Sequence, residues 1–244
     1  MSNLINYTLH LADNALILGQ RNTEWCGHGP ILEQDIAITN ISLDLVGQAR
    51  SFYQYAAQLK ADDSTEDMLA YFRTERDFKN CLLVEQPNGD WAQTILRQFL
   101  FSSYQYFLYQ ELQKNSDETL AAIAEKSLKE VSYHLRWSSE WVIRLGDGTD
   151  ESHSRILKAI DELWRYTGEL FIPVAYEKEA GIDVSLLKND WSEKVKAVLT
   201  EATLPVPENI FMQTGGKTGT HTEHLGYILT ELQYVQRAYP GCEW

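Results

Sequence analysis

Apolar side chains along this chain recur at steps of three and four, and the stripes they draw predict helices nearly everywhere. Leu4, Tyr7, Leu11, Ala15 and Leu18 mark one face of a first helix. Ile38, Ile41, Leu45, Gln48, Phe52, Tyr55 and Leu59 run unbroken along a second, with Gln48 its one strongly polar member. Between the two lies TEWCGHGP, a turn closed by Pro30.

The pattern over 65–84 suggests one or two short helices and lapses at EQPNGD, where Pro87, Asn88 and Gly89 punctuate the chain and Asp90 offers an N-cap. A third stripe follows in Trp91, Ile95, Phe99, Ser102, Tyr106 and Tyr109. The fourth, Leu120, Ala124, Leu128, Val131, Leu135, Ser138, Val142 and Leu145, stops at the glycine-rich GDGTD. A fifth, Ile156, Ile160, Leu163, Thr167, Leu170 and Val174, runs into Pro173, which should kink or end it. A shorter helix over 185–200 and a last one over 221–238 complete the set. Strand-type alternation is not evident. The expectation is an all-α single domain over residues 1–244, four long helices with additional helices packed around them.

A hydrophobic fraction of 44% against 23% charged fits a packed globular chain. Its charge, 21 basic against 35 acidic residues, is −14, a field that repels phosphate backbones and anionic lipid and argues against nucleic-acid or membrane partners. Cys26, Cys81 and Cys242 lie far apart with no CxxC spacing, which reads as reduced thiols. With no basic leader and no apolar run near the roughly 18 residues of a membrane span, a cytoplasmic protein is expected.

Four long helices could carry a di-metal centre, which needs inward carboxylates from each helix and an ExxH step on two of them. The chain has no ExxH; Asp150 to His153 fits only DxxH, in a glycine-rich segment that suits a cap or loop. Asp44 and Glu130 each sit one residue, about 100° of helix rotation, off the core-facing line. His134 follows Val131 at i+3 and faces inward, either as a hydrogen-bonded core histidine flanked by Glu130 or as a ligand. His221 and His224 in HTEH could bind a metal with a third ligand from elsewhere, or serve capping and interface bonding. Just upstream, Gly215, Gly216 and Gly219 surround Lys217 without the GxxxxGK[ST] order, giving a flexible turn or an anion or partner contact. Cys26 beside His28 lacks any nucleophile elbow. Trp137 and Trp141, one turn apart, are core or a partner surface.

The stretches GQRNTEWCGHGPILEQDIAITNISLDLVGQAR, LLVEQPNGDWAQT, KEVSYHLRW and TGGKTGTHTEHLG, long and mutually ordered, resemble the C-subunit (PaaC) family of the bacterial phenylacetyl-CoA 1,2-epoxidase. The resemblance runs end to end. It implies a ferritin-like four-helix bundle core with peripheral helices, in a multicomponent monooxygenase that epoxidises the ring of phenylacetyl-CoA in aerobic phenylacetate breakdown. It places the di-iron centre in a homologous catalytic A subunit, the flavin and iron–sulfur groups in a separate reductase, and no cofactor in this chain. By the same resemblance, the EAGH stretch of the catalytic subunit falls on Leu45, Val46, Gly47 and Gln48, its other ExxH on Val131 to His134, and its remaining carboxylates on Ala15 and Ser102. Only His134 keeps a ligand; the other positions are filled in.

The function expected is thus that of a structural subunit with no catalytic residue of its own, docking on and stabilising the A subunit, with the other subunits and self-association as further contacts. Two alternatives stay open: an independent metalloenzyme using His134, His221 and His224 with Glu130, and a coenzyme A-contacting module with Lys217 at the anion.

Overall fold

The computed structural model describes residues 2–242. Among them run α1 (Ser2–Thr23), α2 (Leu32–Lys60), α3 (Glu66–Tyr71), α4 (Trp91–Leu112), α5 (Glu118–Gly146), α6 (Asp150–Leu163), α7 (Ala175–Glu179), α8 (Lys188–Glu201) and α9 (Glu223–Ala238), with short 3₁₀ turns between several of them and no strand among the described residues. They form two compact units, one from the described residues up to Gln86 together with those from Gly215, the other Pro87–Thr214.

In the first unit α1 and α2 make an antiparallel hairpin: Asp13 meets Tyr53 while, six residues on, Gly19 meets Leu45. A Cβ on Gly19 would sit 3.3 Å from that of Leu45, so the small residue sets how closely the helices approach. Tyr7, Leu11, Ala15 and Leu18 of α1 and Ile38, Ile41, Leu45 and Phe52 of α2 are all buried, and the two helices pack on each other. Each large side chain so buried contributes about 1.5–3 kcal/mol. The connecting turn is pinned by Asp35, whose carboxylate accepts the Gly29 N–H at 2.9 Å and the Gly27 N–H at 3.2 Å. Those bonds, from Gly29 above all, hold its pKa below the ordinary carboxylate value. A Cβ on Gly29 would collide with the Asp35 backbone at 2.7 Å, so the turn requires glycine. The short helices expected over 65–84 are α3, capped by Thr65, and a 3₁₀ turn at Glu75–Asp77. α9 packs on α3 and α1.

The second unit is built on an antiparallel α4–α5 pair. Asp90 caps α4 as expected, accepting the Gln93 N–H at 3.1 Å while the Gln93 side chain accepts the Asp90 N–H. α6 packs on α4 and α5, and so does α8, fastened where the Trp191 indole N–H donates to the Leu100 carbonyl at 3.0 Å. The fifth helix is shorter than its stripe. It ends at Leu163 rather than near Pro173, and 3₁₀ turns at Trp164–Tyr166 and Gly168–Phe171 carry the chain on. The Thr167 hydroxyl takes the Trp164 carbonyl at 2.8 Å, offering the backbone an alternative to continuing the helix. The turns seat Trp164 and Phe171 against the Trp191 ring, at 5.9 and 5.1 Å between centroids.

Candidate functional site

In the first unit, helical phase turns Ala15, Leu45 and Gln48 inward, each at most 2% exposed. The second unit does the same with Ser102, Val131 and His134, all fully buried. Asp44 and Glu130, one residue out of phase, are only half-buried. A pair of divalent cations needs several anionic oxygens to offset its charge. The first unit offers one amide at its three positions, the second one hydroxyl and one imidazole, and neither offers a carboxylate there. Neither set fits a di-iron centre. Among the described residues no three of His, Cys, Asp or Glu converge to hold a metal ion.

Ser102 belongs to a polar line that apolar periodicity overlooks. Gln98, Ser102, Gln105 and Tyr109 step along one buried face of α4. The Gln98 amide donates to the Ser102 hydroxyl at 2.7 Å, and burial pushes the Tyr109 phenol's pKa above its usual value. His134 lies edge-on to Tyr133, with ring centroids 6.4 Å apart.

The glycine-rich segment before α9 is a packed turn. A Cβ on Gly216 would lie 2.3 Å from the Asn80 carbonyl and one on Gly219, at φ +83°, 2.4 Å from that of Arg76. The Thr218, Gly219 and Thr220 N–H groups close on carbonyls of Gly215 and Gly216, so these three amides are already engaged rather than offered to a phosphate. Lys217 is buried, 2% exposed. His221 is sandwiched between the Glu85 carboxylate and the Phe78 carbonyl, and His224, on the first turn of α9, is half-buried. Trp137 and Trp141 are brought together by Trp91, whose ring meets each edge-on at 6.1 and 5.9 Å; Trp137 is buried and Trp141 half-buried. Asp150 opens α6 behind its cap Thr149, and His153 donates from Nδ1 to the Gly146 carbonyl at 2.6 Å. The His28 ring turns to the Cys26 carbonyl, in an exposed turn.

The sequence reading missed the densest polar cluster of the first unit. The fully buried Asp13 accepts the Tyr53 hydroxyl at 2.6 Å, the Lys79 N–H at 2.8 Å and both terminal nitrogens of Arg73. Burial works against the Arg73 charge, but Asp13 and Tyr53 outweigh it and keep the guanidinium charged. Burial beside Asp13 lifts the Tyr53 phenol well above its ordinary value. One helical step away, His10 donates to the Lys79 carbonyl at 2.7 Å and is neutral, its pKa lowered to about 3 by burial and by the Lys217 charge. Asn14 accepts the Cys81 N–H at 2.8 Å. The available signal was HLADNA, three polar residues spaced i, i+3, i+4 within an otherwise apolar helix.

The described residues are helical with no strand, which makes the chain all-α, and the family whose model it matches is ferritin-like. It belongs to the phenylacetic acid catabolic protein family, whose model it matches over residues 1–244. It is 50% identical over 249 residues to the C subunit of the 1,2-phenylacetyl-CoA epoxidase of Escherichia coli (strain K12), an alignment that spans 100% of both chains. No helix among the described residues is long and apolar enough to cross a membrane.

Proposed function

We propose that this chain is a non-catalytic component of a multicomponent phenylacetyl-CoA epoxidase, acting in aerobic phenylacetate breakdown in the cytoplasm, and that it docks on and stabilises the subunit that holds the di-iron centre. The observation that carries this reading is the filling of the ligand positions: Ala15, Leu45 and Gln48 in one unit, Ser102 and Val131 in the other, all buried. Carboxylates facing one another in a helical interior repel unless a cation offsets them. Replacing them with apolar and small side chains leaves helices that pack without metal, at the cost of the chemistry. The full-length likeness to the C subunit of such an epoxidase supports the same reading. In it, iron belongs to the partner, flavin and iron–sulfur groups to a separate reductase, and this chain holds no cofactor.

The alternatives draw less support. A metal site at His221 would compete with Glu85 and Phe78 for both ring nitrogens. An anion contact through Lys217 would need a side chain that the fold keeps inside. Co-expression tests the proposal: with this chain present, the oxygen-activating subunit should gain solubility, iron loading and ring epoxidation. If all three are the same with and without it, the proposal fails.

A further inference from the structure

Asn88 is the one asparagine of the chain followed by glycine, in the EQPNGD turn that leads into α4. An asparagine so placed carries its own reagent: the backbone nitrogen of the next residue can close on the side-chain amide carbon to form a five-membered succinimide, and glycine, with no side chain, leaves the approach open. Two features of the turn suit that reaction. Gly89 is exposed, at φ +56°, and its N–H donates to no group among the described residues, so no hydrogen bond has to break before the nitrogen attacks. The Asn88 side-chain oxygen is gripped from the other end. It accepts Arg97 Nη2 at 2.5 Å and the Thr94 hydroxyl at 3.3 Å, a hydroxyl that also reaches the Asn88 main-chain carbonyl at 3.1 Å. Arg97 and Thr94 both stand on α4 and are fully buried.

Donors aimed at a carbonyl oxygen stabilise the negative charge that develops there when its carbon is attacked, and a guanidinium, always charged, does so strongly. We propose that Asn88 is a site of spontaneous deamidation assisted by the fold, with Arg97 and Thr94 as the oxyanion donors. The Gly89 nitrogen gives up its proton and bonds to the Asn88 Cγ; the Cγ–Nδ2 bond breaks and the amide leaves as ammonia. Water then opens the succinimide at either carbonyl, giving aspartate or its β-linked isomer. The donors that assist the attack also receive the product, since aspartate sets a carboxylate against the buried Arg97 guanidinium. The β-linked product instead adds a carbon to the main chain just ahead of Asp90, the cap of α4. Either way the start of that helix changes with the age of the chain. The inference does not depend on the role proposed above.

The test is peptide mapping by mass spectrometry of the full chain, incubated at mildly alkaline pH both folded and unfolded in guanidinium chloride. Conversion of amide to acid is followed at Asn88 and, for comparison, at Asn115, which precedes serine. Asn88 should convert faster in the folded chain than in the unfolded one, and faster than Asn115 in the folded chain. Thr94→Val keeps the shape and removes the hydroxyl; it should slow conversion about three- to tenfold, the worth of one ordinary hydrogen bond, and Thr94→Ser should restore the rate to within about threefold. A fold that protects Asn88 relative to the unfolded chain overturns the inference, as does an Asn88 no faster than Asn115. So does a Thr94→Val chain that converts at the wild-type rate or above it, because the bonds to Oδ1 then hold the amide away from Gly89 rather than activate it. The wild-type comparison stands even where the Thr94→Val chain fails to fold.

Discussion

The His221 ring places Nδ1 2.7 Å from a Glu85 oxygen and Nε2 3.0 Å from the Phe78 carbonyl, so both ring nitrogens face acceptors, an arrangement that favours the charged imidazole. The same carboxylate accepts the Asn80 amide at 2.8 Å and, at the start of α9, the Thr222 N–H at 2.7 Å and hydroxyl at 2.8 Å. One buried acid thus ties the segment before α9 to the loop that precedes Pro87, and its charge lies where the helix dipole favours an anion.

Stability should depend on pH through this pair. Burial opposes the His221 charge, but the hydrogen bond and charge of Glu85 outweigh it and raise the pKa above 6.5. A raised folded value means the contribution is complete below about pH 6.5 and fades as pH climbs through the folded pKa. The gap in thermal midpoint between wild type and His221→Gln should therefore shrink as the solution is made more alkaline. A gap that widens would contradict this assignment.

The Asp13–Arg73 pair should be costly to break and cheaper to remove whole. Arg73→Met leaves a buried carboxylate without its cation and should lower unfolding free energy by about 3–5 kcal/mol. Adding Asp13→Leu should recover part of that loss, since the stranded charge is gone. Urea denaturation of both single variants and the double variant closes the cycle; strictly additive losses would mean the two side chains are not coupled.

Trp91 meets two tryptophans edge-on, and such ring pairs contribute about 0.5–1.5 kcal/mol each beyond burial. Trp91→Leu should therefore cost about 1–3 kcal/mol and flatten the near-ultraviolet dichroism contributed by Trp137 and Trp141. An unchanged aromatic signal would place those rings elsewhere.

α1, α2, α4 and α5, helices of 22 to 29 residues, were legible because each keeps its three-and-four repeat over several turns, long enough that one polar interruption does not disturb the phase. His134 could be placed inside from its i+3 relation to Val131 alone. Asp13 could not: a lone acid on a helix reads as solvent-facing until Arg73, 60 residues away in sequence, is seen against it. Gln98 and Gln105 escaped for a related reason, since amide side chains on a core face carry no apolar signal and α4 is buried nearly all round. The glycines around Lys217 suggested a flexible turn, whereas Gly216 and Gly219 are there because the Asn80 and Arg76 carbonyls leave no room for a Cβ. Composition records that glycine is present; only packing tells freedom from close approach.

Gln48 is buried, and the proposed function, which reads its position as a filled ligand site, gives it no part in chemistry. Gln48→Ala should leave epoxidation by the assembled complex within about threefold of wild type, the loss of one buried amide being a packing change. A collapse in turnover with the assembly intact would give that side chain a role denied to it above.

If Ala15, Leu45, Gln48, Ser102 and Val131 stand where carboxylates and imidazole would hold iron, as proposed, the purified chain has little affinity for it, and its metal content is the decisive measurement. Produced alone in iron- and manganese-supplemented medium and passed through gel filtration, it should carry either metal far below one equivalent. One or two equivalents retained, and lost on substitution of this chain's own Asp or Glu residues, would contradict the account.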